Sequence, residues 1–285
     1  MAGGVSPVVR GRRLAAALRE LRVAAGKTIE DVAVQLECSA AKVSRIENGH
    51  VGVRIQDARE MLEFYRVSET EREALLELVR QARGRGWWYP YADVMPEGFV
   101  RFVGLEDEAT TIWVLDAAGV PGLLQTERYA KEVLNTRRDV SAEVVRRRVE
   151  LRMARQQILS RPEPPQLHIV IGETALRRRV GDDDEVMREQ LRHLIEAAAA
   201  PNITLQVLLF DAPTNPGLSL AFVIFGFMDP IDPKAVYEEL IAGSVYHESA
   251  AITSQYGAAF DHASAAALNA ADSLAFLRAF ADESA

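Results

Sequence analysis

Residues 28–49 read TIEDVAVQLECSAAKVSRIENG. Ile29, Val32, Ala33 and Leu36 recur at the spacing of one helical face, and Thr28 stands just before them as a cap. Asp31, three residues after Thr28, completes a start that resembles a capping box, in which each side chain satisfies an open backbone amide. Two residues beyond Leu36–Glu37, Ser39 can cap a second short helix. That helix turns Val43 and Ile46 inward and stops at Asn48-Gly49. Two short capped helices joined by so tight a turn, each with one apolar side, predict an all-helical unit.

The flanks extend the pattern. A helix is expected over about Arg10–Ala24, with Leu14, Leu18 and Leu21 at helical spacing and Gly26 ending it. Another covers about Ile55–Tyr65 through Ala58, Met61, Leu62 and Tyr65. A fifth follows Ser68, with Glu69, Glu71 and Glu73 favouring its positive end and Leu75, Leu76, Leu78 and Val79 facing the core. Residues 1–83 therefore read as a five-helix, all-α domain. RGRGWWYPYADVMPEG (83–98) then interrupts helix with glycine and proline, and residues 84–104 read as an aromatic, Gly/Pro-rich linker packed against a domain. Residues 105–285 mix element types. Strands are expected at Thr110–Leu115 (or a short buried helix there), LHIVIG (167–172), ITLQVLLF (203–210), LAFVIFGF (220–227) and AVYEEL (235–240). Helices are expected over Thr126–Asn135, Ala142–Leu159, Asp184–Ala199, Tyr246–Ala267 and Asp272–Phe280. This is an α+β domain with a mainly antiparallel sheet.

The chain has 285 residues, 48% hydrophobic and 26% charged, which suits large buried cores. No apolar run reaches the roughly 18 residues of a membrane helix. MAGGVSPVVRGRR lacks the apolar centre of a signal peptide, so a cytoplasmic protein without membrane association is expected. One cysteine, Cys38, excludes an intrachain disulfide. Only four of the 33 basic residues are lysines, as a GC-rich genome would produce. The formal net charge is −8, yet residues 1–59 hold ten basic and six acidic side chains, or +4, leaving −12 for the remainder. A basic head on an acidic body fits a chain whose head alone approaches phosphate.

An α-helix fits the major groove of DNA, and the N-terminal half of the second helix of a helix-turn-helix pair meets base edges there. Side chains in that half must be small or polar. Here they are Ala40, Ala41, Lys42, Ser44 and Arg45, the candidates for reading bases: Lys and Arg pair with guanine, Ser with several partners, Ala with a thymine methyl. The amides at Thr28 and Ser39, and the side chains of Arg10, Arg12, Arg13 and Arg54, are candidates for phosphate.

The same residues carry a resemblance. Thr28, Glu30, Ala33, Leu36, Ser39, Val43-Ser44, Ile46, Glu47 and Gly49 match the spacing of the Cro/repressor (XRE) family of bacterial helix-turn-helix proteins. The resemblance implies a transcriptional regulator bound to double-stranded DNA as a homodimer on a palindromic operator. One departure is Glu37, where that family usually has the glycine of a left-handed turn, a cost of about 1 kcal/mol. Cys38 stands where the family has a buried Val-like residue and reads as a small core hydrophobe rather than a redox switch.

By residue physics, GVPGLLQTERYA (119–130) is a turn followed by a capped helix. With RMARQQIL (152–159), ETALRRRVG (173–181), MREQLRHLIE (187–196), PNITLQVL (201–208) and YEEL (237–240), it is similar to the C-terminal domain of a large actinobacterial group of XRE-type regulators, often described as antitoxin-like. The resemblance spans residues 10–280. It implies a small partner protein encoded nearby, with no established effector or catalytic activity. Leu123, Leu124, Gln125, Tyr129, Arg152, Gln156 and Glu173 are the candidates for a partner or effector site. Arg152, Arg155, Gln156, Glu173 and Glu238 could meet as a polar cluster. His50, His168, His193, His247 and His262 are scattered without metal-ligand spacing, and no nucleophile elbow or phosphate-binding glycine loop occurs. Neither enzymatic activity, a cofactor nor a metal is therefore expected. The second domain is expected to dock a partner protein and dimerise, or alternatively to neutralise a toxic partner or sense a small molecule.

Overall fold

A computed structural model describes residues 6–49, 51–136, 140–214, 220–229, 232–241 and 243–283. His50, one of the scattered histidines, lies outside them, as do residues 1–5 of the expected head domain. The chain divides into two compact units, 1–89 and 90–285.

The first unit is built from α1 (Pro7–Ala24), α2 (Ile29–Gln35), α3 (Ala40–Glu47), α4 (Ile55–Phe64) and α5 (Glu69–Ala82). Helix α1 starts a turn earlier than expected. Ser6 accepts from the Val8 amide at 3.3 Å, and Pro7, with φ already fixed for a helix, occupies the first turn. Val32, Val43, Ile46, Ala58, Met61 and Leu62 are among the side chains that fill one core with Leu14 and Leu18 of α1. Cys38 is half-buried and packs at the margin of that core.

The second unit contains α6 (Phe99–Glu108), β1 (Thr111–Asp116), α7 (Glu127–Asn135), α8 (Ala142–Gln156), β2 (Gln166–Gly172), α9 (Glu173–Arg177), α10 (Glu185–Ala197) and β3 (Ile203–Leu208). β4 (Ala221–Gly226), β5 (Ala235–Leu240), β6 (Gly243–His247), α11 (Ala250–Ala266) and α12 (Ala270–Glu283) follow. The strands form one sheet in the order β3-β2-β1-β4-β5-β6. Among the described residues, three of its five strand pairs are antiparallel and two, β1–β2 and β2–β3, are parallel. The parallel half goes beyond the sequence reading. It follows from connectivity, because α7–α8 and α9–α10 separate those strands, and parallel neighbours need such crossovers. β2 is accordingly apolar without alternation, with Leu167, Ile169, Val170 and Ile171 all buried.

The side chains of successive strand residues point to opposite faces. On one face Phe260 and Ala263 of α11 pack on Leu115, Val170, Phe222 and Val236. On the other, Phe102 of α6 meets Phe225 and Tyr237 edge-on at 5.3 and 4.5 Å between ring centres. Two local readings are corrected. Residues 99–104, assigned to the linker, belong to α6, whose Phe102, Val103 and Leu105 are buried. Tyr246 and His247, expected to open a helix, end the strand β6; the helix starts only at Ala250. The preceding residues 90–98 are held within the second unit: Arg148 donates to the Val94 carbonyl at 2.7 Å and Arg147 to Asp93 at 2.9 Å.

Candidate nucleic-acid interface and C-terminal cavity

The turn between α2 and α3 is built as its sequence dictates. The Thr28 hydroxyl accepts from the Asp31 amide at 3.1 Å, while Asp31 accepts from the Thr28 amide at 2.9 Å. Those hydrogen bonds hold the Asp31 carboxyl below the usual carboxylate range. Glu37 takes φ +48°, the left-handed conformation that glycine adopts without strain. The Ser39 hydroxyl accepts from the Lys42 amide at 3.2 Å and starts α3.

Helix α3 divides by face. Val43 and Ile46 are buried; Ala41 and Arg45 are exposed, with Ala40, Lys42 and Ser44 between those extremes. The Arg45 side chain has no hydrogen-bond or ion-pair partner among the described residues, and it stands out on the face opposite the core. Lys42 is not so placed: its ammonium is 2.7 Å from Asp57 of α4, an ion pair that ties the helix down. Asn48 donates to the Ser44 carbonyl at 2.8 Å and approaches its hydroxyl at 3.3 Å. At its end α3 is clamped to α1. Arg22 meets both oxygens of Glu47 at 2.7–3.0 Å and also donates to the Lys27 carbonyl at 2.8 Å. The sequence reading missed this clamp, although Glu47 belongs to the motif it used.

The phosphate candidates separate likewise. Arg54 is exposed and Arg10 and Arg13 are half-buried, whereas Arg12 is only 7% exposed and does not present its guanidinium at the surface. The Arg12 expectation is therefore corrected. The Thr28 amide is corrected too, because the Asp31 carboxylate already occupies it and sets a negative charge in front of it.

In the second unit, GVPGLLQTERYA is an internal strut rather than an exposed signature. Leu123, Leu124, Gln125 and Tyr129 are all 5% exposed or less. Three glutamines hold the segment. Gln125 donates to the Val120 carbonyl at 2.6 Å, and Gln156 donates to the carbonyls of Gly122 and Gln125 at 3.0 and 2.7 Å. Gln190 of α10 donates to the Leu124 carbonyl and accepts from the Thr126 amide, at 2.6 and 2.8 Å. Gln190 was not foreseen; its signal was a glutamine on the apolar side of MREQLRHLIE, fully buried here.

Beside this strut lies a cavity of about 160 Å³ between the α6–α8 side of the sheet and residues 121–123. Of the expected partner or effector residues, Leu123 and Arg152 line it. Gln125 and Gln156 hold lining groups, Arg152 and the Gly122 carbonyl, while Leu124 and Tyr129 are buried outside the lining. Glu173 does not join them: it accepts from Arg177 at 2.6 Å and from the Phe210 amide at 3.0 Å. Glu238 also points away, to Tyr256 and His247, and by strand alternation its neighbour Glu239 lines the cavity instead. Arg155 is spent on Glu106 in a buried pair at 2.7 Å and lies over the Phe99 and Phe102 rings. Two histidines are bound into the fold, His168 to Gln206 at 2.6 Å and His247 to Glu238 at 3.1 Å. No group of three or more His, Cys, Asp or Glu side chains suited to a metal occurs among the described residues. No described helix is long and apolar enough to cross a membrane.

Comparison with known proteins agrees with this division. Residues 99–279 match the family described as "Domain of unknown function (DUF5753)", and residues 13–75 match "Helix-turn-helix domain". The first match spans more than half of the chain, which thus belongs to the DUF5753 family, with a helix-turn-helix domain ahead of it. A helix-turn-helix domain marks a DNA-binding regulator. No curated protein and no solved structure matches the chain.

Proposed function

We propose that the chain is a sequence-specific transcriptional regulator of the Cro/repressor type, from an actinobacterium, that reads an operator with α3. One observation carries the reading: Arg45 stands exposed and unpaired on a short helix whose opposite face, Val43 and Ile46, is locked in the core. Ala40, Ala41 and Ser44 beside it leave room for close approach to base edges. Arg45 is the lead reader in this scheme, because Lys42 must first release Asp57. Ser39 through its amide, with Arg10, Arg13 and Arg54, supplies phosphate contacts that fix register. The protein acts as a homodimer on a two-fold site, its recognition helices about 34 Å apart.

The test is binding of Arg45→Ala to a selected operator and to random duplex. The variant is expected to lose about 1–3 kcal/mol on the operator only. An equal loss on both makes Arg45 a phosphate contact and removes the base-reading role. The proposed scheme includes no catalytic step.

For the second unit we propose regulation of the head. Docking of a small protein encoded nearby, including neutralisation of a toxic one, is tested by co-purification and by whether that protein alone arrests growth. The cavity beside Arg152 favours a second reading, in which the unit senses a small molecule. A ligand then acts by binding one state of the regulator more tightly than another.

A further inference from the structure

The cavity of the second unit differs from a packing defect in what it does with charge. Its walls are largely apolar, formed by Phe99, Phe102, Ile112, Val114, Val223 and Tyr237. Two arginines nevertheless reach it. Arg155 is neutralised by Glu106, both oxygens engaged at 2.7 Å. Arg152 has no carboxylate within ion-pair distance among the described residues. Its single hydrogen bond among the described residues is to the neutral Gln125 side chain, at 2.5 Å. Gln125 is itself fixed by the Val120 carbonyl at 2.6 Å, so the guanidinium is aimed and held while its remaining donors have no acceptor among the described residues.

A largely desolvated guanidinium that feels Glu239 and Glu106 only through space, with no ion pair among the described residues, is costly, and an anion supplied from outside would offset that cost. The cost is visible in its protonation. Burial, then the neighbouring charge of Arg155, pulls the Arg152 guanidinium down to about 10. Burial also pushes the Asp116 carboxyl up, helped by the charge of Glu239. Asp116 spends one oxygen on the amides of Ala118 and Gly119, at 3.0 and 2.8 Å. The volume of about 160 Å³ is close to that of an engineered cavity of about 150 Å³ that accepts a benzene ring.

We propose that this cavity binds a small carboxylic acid with a single-ring or comparable apolar body, its carboxylate seated on Arg152 and its body against Phe102, Val114 and Val223. Planar guanidinium and carboxylate match in a two-point contact, which gives orientation as well as affinity. This deepens the sensing reading and does not depend on DNA binding, since it concerns the second unit alone.

The test uses the full chain without DNA and two probes, benzoate and phenylacetate, at millimolar concentration, read by calorimetry and by ligand-observed NMR. Both are expected to bind, with benzamide weaker by about tenfold or more, because it lacks the charge that Arg152 meets. Arg152→Met is expected to weaken benzoate by a similar factor. In case that variant loses the Gln125 anchor and misfolds, Val223→Phe fills the cavity while leaving Arg152 intact, and it should abolish benzoate binding. Three results overturn the proposal: neither carboxylate binds; Val223→Phe folds and binds benzoate as before; or benzylamine outcompetes benzoate, which would make Asp116 and Glu239 the defining groups. If the carboxylates fail while a fraction of metabolite extract still raises the melting temperature, the sensing reading stands and only the ligand class falls.

Discussion

Replacing Glu47 by Ala should unfasten the recognition helix. Glu47 closes α3 and is 6% exposed, while the Arg22 side chain that meets it from α1 is 12% exposed. Three hydrogen bonds link them, and a fourth joins Arg22 to the Lys27 carbonyl in the turn before α2. Removing one member of a buried pair strands the other's charge, at about 3–5 kcal/mol. Arg22 keeps some contact with water, so the lower end, about 3 kcal/mol, is expected. That is a large part of the 5–15 kcal/mol that holds a typical domain together. Hydrogen exchange on the full chain reads it locally: amides of α1 and α3 should exchange roughly a hundredfold faster, since about 1.4 kcal/mol is tenfold. Amides of β1 and β2 should be unchanged. The double variant Arg22→Met with Glu47→Leu buries neither charge and should recover to within about 1 kcal/mol of the parent. Exchange in α1 and α3 accelerated less than fivefold by Glu47→Ala would refute the reasoning. A double variant as unstable as the single one would show that packing, not the ion pair, carries the loss.

Other outcomes follow from the same unit. Glu37→Gly relieves the left-handed strain at φ +48° and should raise stability by about 0.5–1 kcal/mol after glycine's own entropy cost; a fall in melting temperature contradicts it. The Tyr65 hydroxyl is buried without a hydrogen-bond partner among the described residues, so Tyr65→Phe should stabilise by about 1 kcal/mol in urea denaturation, and a loss would mean that the hydroxyl is satisfied. The Asp31 carboxyl is held low by the Thr28 hydrogen bonds. Its contribution is therefore full above the unfolded value of about 3.9 and disappears as pH falls through the folded value. The stability gap between the parent and Asp31→Asn should close below about pH 4; a gap constant from pH 2 to 7 would exclude the carboxylate as its source.

Legibility followed the range of the interaction. The caps at Thr28 and Ser39, the buried faces of α2 and α3 and the strain at Glu37 were readable, because each depends on residues within about one helical turn. The strands of the second unit were readable as apolar runs, but their partners were not. Residues 99–104 looked like linker because Gly98 and Pro96 precede them, yet Phe99 and Phe102 stack at 5.0 Å and carry α6 onto the sheet. GVPGLLQTERYA looked like a docking signature because its residue types are distinctive. Its distinctiveness is spent inside the fold, on glutamine side chains 31 to 66 residues away.

The sequence by itself determined that a basic helical head carries a capped helix pair, and which side of the second helix faces out. Local backbone geometry and the 3.6-residue period suffice for that. Only the tertiary structure decided which outward residues remain available. It tied Lys42 to Asp57, buried Arg12, filled the Thr28 amide with Asp31, and left Arg45 exposed and unpaired among the described residues. In the second unit it likewise neutralised Arg155 and left Arg152 with no ion-pair partner among the described residues. Charge pairing acts through space over a few ångströms between residues far apart in the chain, so no local pattern could reveal which arginine was still unpaired.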